Sequence, residues 1–150
     1  KRNIGNLELK FKRNIYGWKK IYKIKDLILE NQLNHKIIKD SISKNLPLNA
    51  RIFFDRNNKS QIVNQYKREY FISYDKRYRI TIDKNMKIFN QRNKSELNLK
   101  KKEIIQNYFI LEVKFDRSCY NKIDTLLHNI PIRASRNSKY VNSIRAALGI

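Results

Sequence analysis

Basic side chains recur at every second position in several short stretches of this chain, and two of those stretches also carry a glutamate two residues ahead of a lysine. Glu8, Lys10 and Lys12 alternate with Leu7, Leu9 and Phe11. Arg77, Arg79, Thr81 and Asp83 alternate with Tyr78, Ile80 and Ile82, and Glu112 and Lys114 alternate with Leu111, Val113 and Phe115. Tyr66, Arg68 and Tyr70 share one side of a further stretch. A period of two is the spacing of side chains on one face of a β-strand. Each stretch therefore predicts a strand with a charged face, and Lys10, Arg68, Arg79 and Lys114 take its central positions. Guanidinium forks grip phosphate oxygens in pairs, ammonium groups add point charges, and a carboxylate can hold a divalent cation. If the strands curl into a barrel, these faces line a tunnel suited to a chain of phosphates. A duplex would not fit inside such a small barrel, which has room for one thin ligand. A sheet with one packed face and one wet face is the plainer alternative for the same pattern.

These strands need a frame. Gly17 predicts a turn after the first strand, and Trp18 to Ile24 a second strand or its edge. From Asp26, a candidate cap, Leu33, Ile37, Ile38 and Ile42 recur at helical spacing until Pro47 stops the helix. Residues 48–55 predict a short helix, and Arg56-Asn57-Asn58 a turn. Gln61 to Tyr74 reads as a long strand, with Asp75-Lys76 as a hairpin turn into Arg77 to Asp83. Met86 to Asn90 predicts another short strand, Gln91 to Lys102 an exposed polar loop, and Tyr108 to Phe115 the last strand. Tyr120 to Ile130 is expected to be helical, and Ser138 caps a final helix running to Leu148. The order of strands, helix, strands and helices predicts an α+β fold with a mainly antiparallel sheet, its apolar faces under the helices.

Charge narrows the partners. The chain has 150 residues, the size of one domain, with 34 Lys and Arg against 13 Asp and Glu, a formal charge of +21. Such self-repulsion calls for an anionic partner: nucleic acid, a phosphate polymer or an acidic membrane surface. Composition alone favours nucleic acid. The single cysteine, Cys119, excludes an internal disulfide or a cysteine metal site and fits a reducing, cytoplasmic setting. No apolar run approaches the roughly 18 residues of a membrane span. His35 and His128 lack metal-ligand spacing, which leaves surface or capping roles, and neither Gly5 nor Gly17 belongs to a phosphate-cradling loop. Asp83 reads either as a metal ligand or as a strand-end residue that starts a turn. The start at Lys1, without Met and nearly within a strand pattern, predicts a piece of a longer protein.

Tyr66-Lys67-Arg68, Arg79-Ile80-Thr81-Ile82-Asp83, Leu111-Glu112-Val113-Lys114 and Ser138-Lys139-Tyr140 stand in the order found in VTC domains, over about residues 61 to 143. Leu7 to Lys12 is similar to the Glu-x-Lys strand that ends the N-terminal half of that domain. The chain thus resembles the C-terminal part of a VTC-type polyphosphate polymerase domain, of the triphosphate tunnel metalloenzymes. The resemblance implies an antiparallel β-barrel with flanking helices, incomplete here because Lys1 to Asn6 does not match the two strands that open the family's domain. It implies transfer of the terminal phosphate of ATP or another nucleoside triphosphate to polyphosphate, with a divalent metal, manganese or magnesium. Such phosphoryl transfer needs little beyond alignment and charge neutralisation. The resemblance assigns Arg68, Arg79, Lys10 and Lys114 as the catalytic cations, with Tyr66 beside them. It gives Arg136 and Lys139 to phosphate binding where the tunnel closes, and Glu112 with Glu8 to the metal. A non-catalytic polyphosphate-binding module and a nucleic-acid binder of ribosomal type explain the charge as well.

Overall fold

A computed structural model describes residues 5–13, 16–57, 59–100, 103–128, 130, 131, 133, 135 and 137–150, without the side chains of Lys12, Tyr16, Glu103, Arg117 and Leu126. The expected phosphate ligand Arg136 lies outside the described residues, as do Lys101 and Lys102 at the end of the expected polar loop. The chain is α+β with antiparallel pairing throughout, and it divides into two compact units: Lys1–Gln61 with Gln91–Lys101, and Ile62–Asn90 with Lys102–Ile150.

In the first unit, β1 (Gly5–Arg13) pairs with β2 (Tyr16–Ile24), Leu7 opposite Tyr22 and Lys10 opposite Lys19. The alternation of β1 does what alternation predicts. Leu7 and Leu9 pack with Tyr22 against Ile24, Leu46 and Ala50, and so lie under α1 (His35–Lys44) and α2 (Leu48–Arg56). Phe11 stacks on Trp18 at 5.6 Å between ring centroids and meets Phe53 at 5.7 Å. Gly17 is not the turn: it sits inside β2 opposite Lys12, and residues 14 and 15 lie outside the described residues. Helix α1 starts nine residues later than Asp26, because Asp26 has a left-handed backbone (φ 55) that cannot open a helix. Asn34 is the cap instead, and its side chain accepts the Lys36 N–H at 2.8 Å. The polar segment after Gln91 is built rather than loose. Gln91 is buried, donates to the Asn98 carbonyl and accepts the Asn98 N–H, while Leu97 and Leu33 pair through their backbones.

The second unit centres on β4 (Tyr78–Asn90), which pairs with β3 (Ile62–Ile72) along one edge. Its other edge is shared by β5 (Glu103–Gln106), which takes Met86 to Phe89, and β6 (Ile110–Phe115), which takes Tyr78 to Asp83. The predicted turn at Asp75-Lys76 is present. Ser73 and Tyr78 close it, Asp75 accepts from Ser73 and from the Arg77 N–H, and Lys76 takes φ 59. Met86–Asn90 is not a separate strand but the continuation of β4 past a bulge. Gln65 faces Lys87 and Lys67 faces Lys84, so β4 carries one residue more than β3 there, at Asn85 with φ 54. Neither sheet closes on itself among the described residues.

The bulge reverses which parity faces which side. Before it, Arg79, Thr81 and Asp83 share a face; after it, Met86 and Ile88 continue that same face. Met86, Ile88 and Ile110 form the buried core here, with Ile62, Tyr66, Ile104 and Ala146 around them. Helix α4 (Lys139–Leu148) therefore lies on the face that begins charged, which corrects the expectation that the helices cover only the apolar parity. Lys139, Ser143 and Ala146 form its inner stripe at helical spacing. As predicted, Ser138 caps it by accepting the Val141 N–H, and Gly149 ends it with φ 74. On the opposite face Ile80, Ile82, Leu111 and Val113 are half-buried, and α3 (Tyr120–His128) contributes buried Ile123 after the Arg117–Cys119 turn.

Candidate functional site

Register assembles the site. Across β3 and β4, Arg68 stands opposite Asp83, Tyr70 opposite Thr81 and Ile72 opposite Arg79. Across β4 and β6, Arg79 stands opposite Lys114 and Thr81 opposite Glu112. Directly opposed residues share a face, so three strands bring Arg68, Arg79, Glu112 and Lys114 together on one side of the sheet. Tyr66 joins them by its period of two from Arg68, and Lys139 arrives from α4.

Asp83 is the centre of this face and only 1% exposed. Arg68 grips it with two prongs, Nε to Oδ1 at 2.5 Å and Nη2 to Oδ2 at 2.7 Å, and Lys139 Nζ donates to Oδ2 at 2.8 Å. The guanidinium carbon lies 5.1 Å from the Tyr66 ring centre and 5.8 Å from that of Tyr70, and Lys139 Nζ lies 5.9 Å from Tyr66. The hydrogen bonds from Arg68, and less strongly those from Lys139, hold the Asp83 carboxyl below the usual range against the opposing effect of burial. The same carboxylate pushes Arg68 further up from an already high value. Two cations on one anion leave the cluster with a net positive charge. The strand-end and metal-ligand readings of Asp83 both give way, since it lies mid-strand and cations occupy both its oxygens.

The other predicted residues differ in how far they are engaged. Arg79 is exposed and has no ion pair among the described residues. Lys114 Nζ is 3.2 Å from Glu112 Oε1, and the Glu112 side chain is partly exposed. In the first unit, Glu8 accepts from Lys19 at 2.8 Å and lies 3.7 Å from Lys10. The bond from Lys19 is the main reason its carboxyl is lowered. Among the described residues no three acidic, His or Cys side chains gather to hold a metal. A lone glutamate still suits a magnesium-like ion that arrives with phosphate oxygens, since such ions are commonly held by one or two carboxylates plus the substrate. Glu112 fits that pattern. His128 is a helix-end residue whose Nδ1 meets the Asp124 carbonyl at 2.6 Å, whereas His35 is buried, not a surface residue.

Sequence reasoning missed Asp83 as the partner of Arg68, and Lys19 as the partner of Glu8. A signal for the first was present, because Asp83 shares the parity of Arg79 and Thr81. The hidden bulge made it look like the end of its strand. A cavity of about 720 Å³ also opens where β5 gives way to β6, lined by Tyr66, Lys67, Lys84, Lys87, Gln106 and Tyr108 among others.

Fold and site together define an α+β protein whose antiparallel sheet carries a basic face organised around one buried carboxylate. The chain belongs to the VTC domain family, whose model matches residues 2–148, nearly its full length. No curated protein and no solved structure matches it. Membership carries a polyphosphate-related function, in keeping with that basic face. No helix among the described residues is long and apolar enough to cross a membrane.

Proposed function

We propose that this chain acts as a polyphosphate polymerase-type domain, transferring the terminal phosphate of ATP or a related nucleoside triphosphate to a polyphosphate chain. The observation that carries the reading is the register that sets Arg79 against Lys114, one rung from Glu112 and on the face of Arg68. The polar face of the four-stranded sheet then forms a wall of the family's tunnel barrel. Arg79 and Lys114, the more exposed cations, take phosphate oxygens, and Arg68 and Lys139 add a fork and a point charge beside them. Tyr66 supports both through its ring. Glu112 holds manganese or magnesium, which supplies charge neutralisation at the transferring phosphate. Lys10, Arg136 and Glu8 keep the roles that family position gives them, the first two on phosphate and the last on metal. A cytoplasmic setting belongs to the same proposal, in keeping with a single, unpaired cysteine, Cys119.

One observation favours a second reading, a polyphosphate-binding module without turnover. Two of the face's cations are already engaged by Asp83, as in a site built for affinity rather than for transition-state charge. Incubation with ATP and manganese, followed by a gel stained for polyphosphate, separates the two. A ladder lost in Glu112→Ala and Arg79→Ala supports the polymerase. Tight polyphosphate binding without a ladder supports the module, and a preference for RNA over polyphosphate overturns both.

A further inference from the structure

We propose that Asp83 is a positioning residue for anion recognition, holding Arg68 and Lys139 as one preset two-cation phosphate grip; this rests on the phosphate reading above. Three features point to it. The first is economy of donors. Asp83 uses the Nε and one Nη2 hydrogen of Arg68, and a guanidinium has about five N–H donors in a rigid fork. The fork is thus fixed by one edge while its other donors remain to bind an anion. The second is spacing. Arg68 Nη2 and Lys139 Nζ share the Oδ2 atom, so they lie no further apart than the sum of their 2.7 Å and 2.8 Å bonds. Two cations that close repel each other unless an anion lies between them. Asp83 supplies that anion from within the sheet, where it does not block the approach of a ligand.

The third feature lies one rung away. Thr81 is 6% exposed, and its hydroxyl has no partner among the described residues. It stands on the same face, between Tyr70 and Glu112. A buried hydroxyl without a partner is costly, so the rung beside the two cations carries a polar demand that the strands leave unmet. Tyr66 and Tyr70 flank the guanidinium and limit its rotation. The outcome is an arginine whose orientation is set before the ligand arrives, so little ordering cost falls on binding. Asp83 touches neither phosphate nor metal in this arrangement and acts through Arg68 and Lys139.

The test is a binding cycle with inorganic polyphosphate and the intact chain. Affinity is measured for the wild type, Asp83→Asn, Arg68→Ala and the double variant, with folding checked by circular dichroism. Each single change is expected to weaken binding about tenfold, and the double variant to bind within about threefold of Arg68→Ala, the remainder reflecting Lys139, which Asp83 still holds in Arg68→Ala. Arg68→Lys guards against an Asp83→Asn that does not fold. It keeps the charge but cannot be gripped by two prongs, so it should lose nearly as much affinity as Arg68→Ala, whereas Lys59→Ala, outside these strands, loses little. Additive losses in the cycle, or wild-type affinity in Arg68→Lys, overturn the positioning role and leave the phosphate reading standing. A wild-type chain that does not bind polyphosphate overturns that reading and the positioning role with it.

Discussion

Lys139, in the first turn of α4, donates to Oδ2 of Asp83 at 2.8 Å and so ties the last helix to the middle of β4. Asp83 is buried and Arg68 holds its other oxygen, so removing the carboxylate leaves two close cations without their shared anion. Breaking a buried ion pair from one side costs about 3–5 kcal/mol. Asp83→Ala should therefore shift the urea midpoint strongly, and Lys139→Met less, because Arg68 still satisfies the aspartate. Equal stability of Asp83→Ala and wild type would contradict the role given to this contact.

The same carboxylate makes stability depend on acid. Its folded pKa is lowered, first by Arg68, so the folded chain binds fewer protons there than the unfolded chain does. The contribution is full above the ordinary aspartate value of about 3.9 and is lost as pH falls through the lower folded value. Urea midpoints of wild type and Asp83→Asn should converge below about pH 4. A constant gap down to the acid limit would show that Asp83 does not titrate as described.

His35 gives a second, milder window. It is buried, Nε2 has no partner among the described residues, and Ser60 Oγ lies 3.4 Å from Nδ1. Burial is the main cause of its lowered pKa and Lys39 adds to it, while the Glu96 backbone opposes. The folded state thus prefers neutral imidazole. Its contribution is full above the ordinary histidine value of about 6.5 and is lost as pH falls below it. Thermal melts between pH 7.5 and 5 should show this slope in wild type and its absence in His35→Gln.

Arg79 is exposed and unpaired among the described residues, so Arg79→Ala should change stability by less than about 0.5 kcal/mol. It should nevertheless weaken polyphosphate binding about three- to tenfold, as expected for one lost phosphate contact. Exposed lysines outside these strands, such as Lys59, serve as the comparison. If Lys59→Ala weakens binding equally, the charge acts as a diffuse cloud and not as a site.

Asn85 occupies a left-handed position that asparagine tolerates better than branched residues do. Asn85→Gly should be close to neutral, and Asn85→Val should cost about 1–2 kcal/mol, read from urea midpoints. A neutral valine would show that the bulge does not need its present backbone.

Much of the frame is legible in residue order. Leu7, Leu9 and Phe11 against Glu8 and Lys10 specify the strand and its buried side, because a hairpin with one wet face leaves only one way to bury three large apolar groups. Ser138 and Gly149 mark the ends of α4 through local backbone chemistry. Where a remote partner decides, local signals fail. Asp26 looks like a helix cap, yet the bridge between Asn34 and Glu96 and the His35 to Ser95 bond sit at the true start.

The sequence by itself determined that this chain is a basic α+β protein and which side of each strand carries Arg68, Arg79, Glu112 and Lys114, because alternation is a property of the strand alone. Only the tertiary structure decided which of those cations are engaged and which face α4 covers. A one-residue bulge at Asn85 changes the parity of β4, and parity determines what a helix can bury. Asp83 became the partner of Arg68 and Lys139 by register and by helix placement. Both depend on pairings between residues far apart in the chain, which no local spacing encodes.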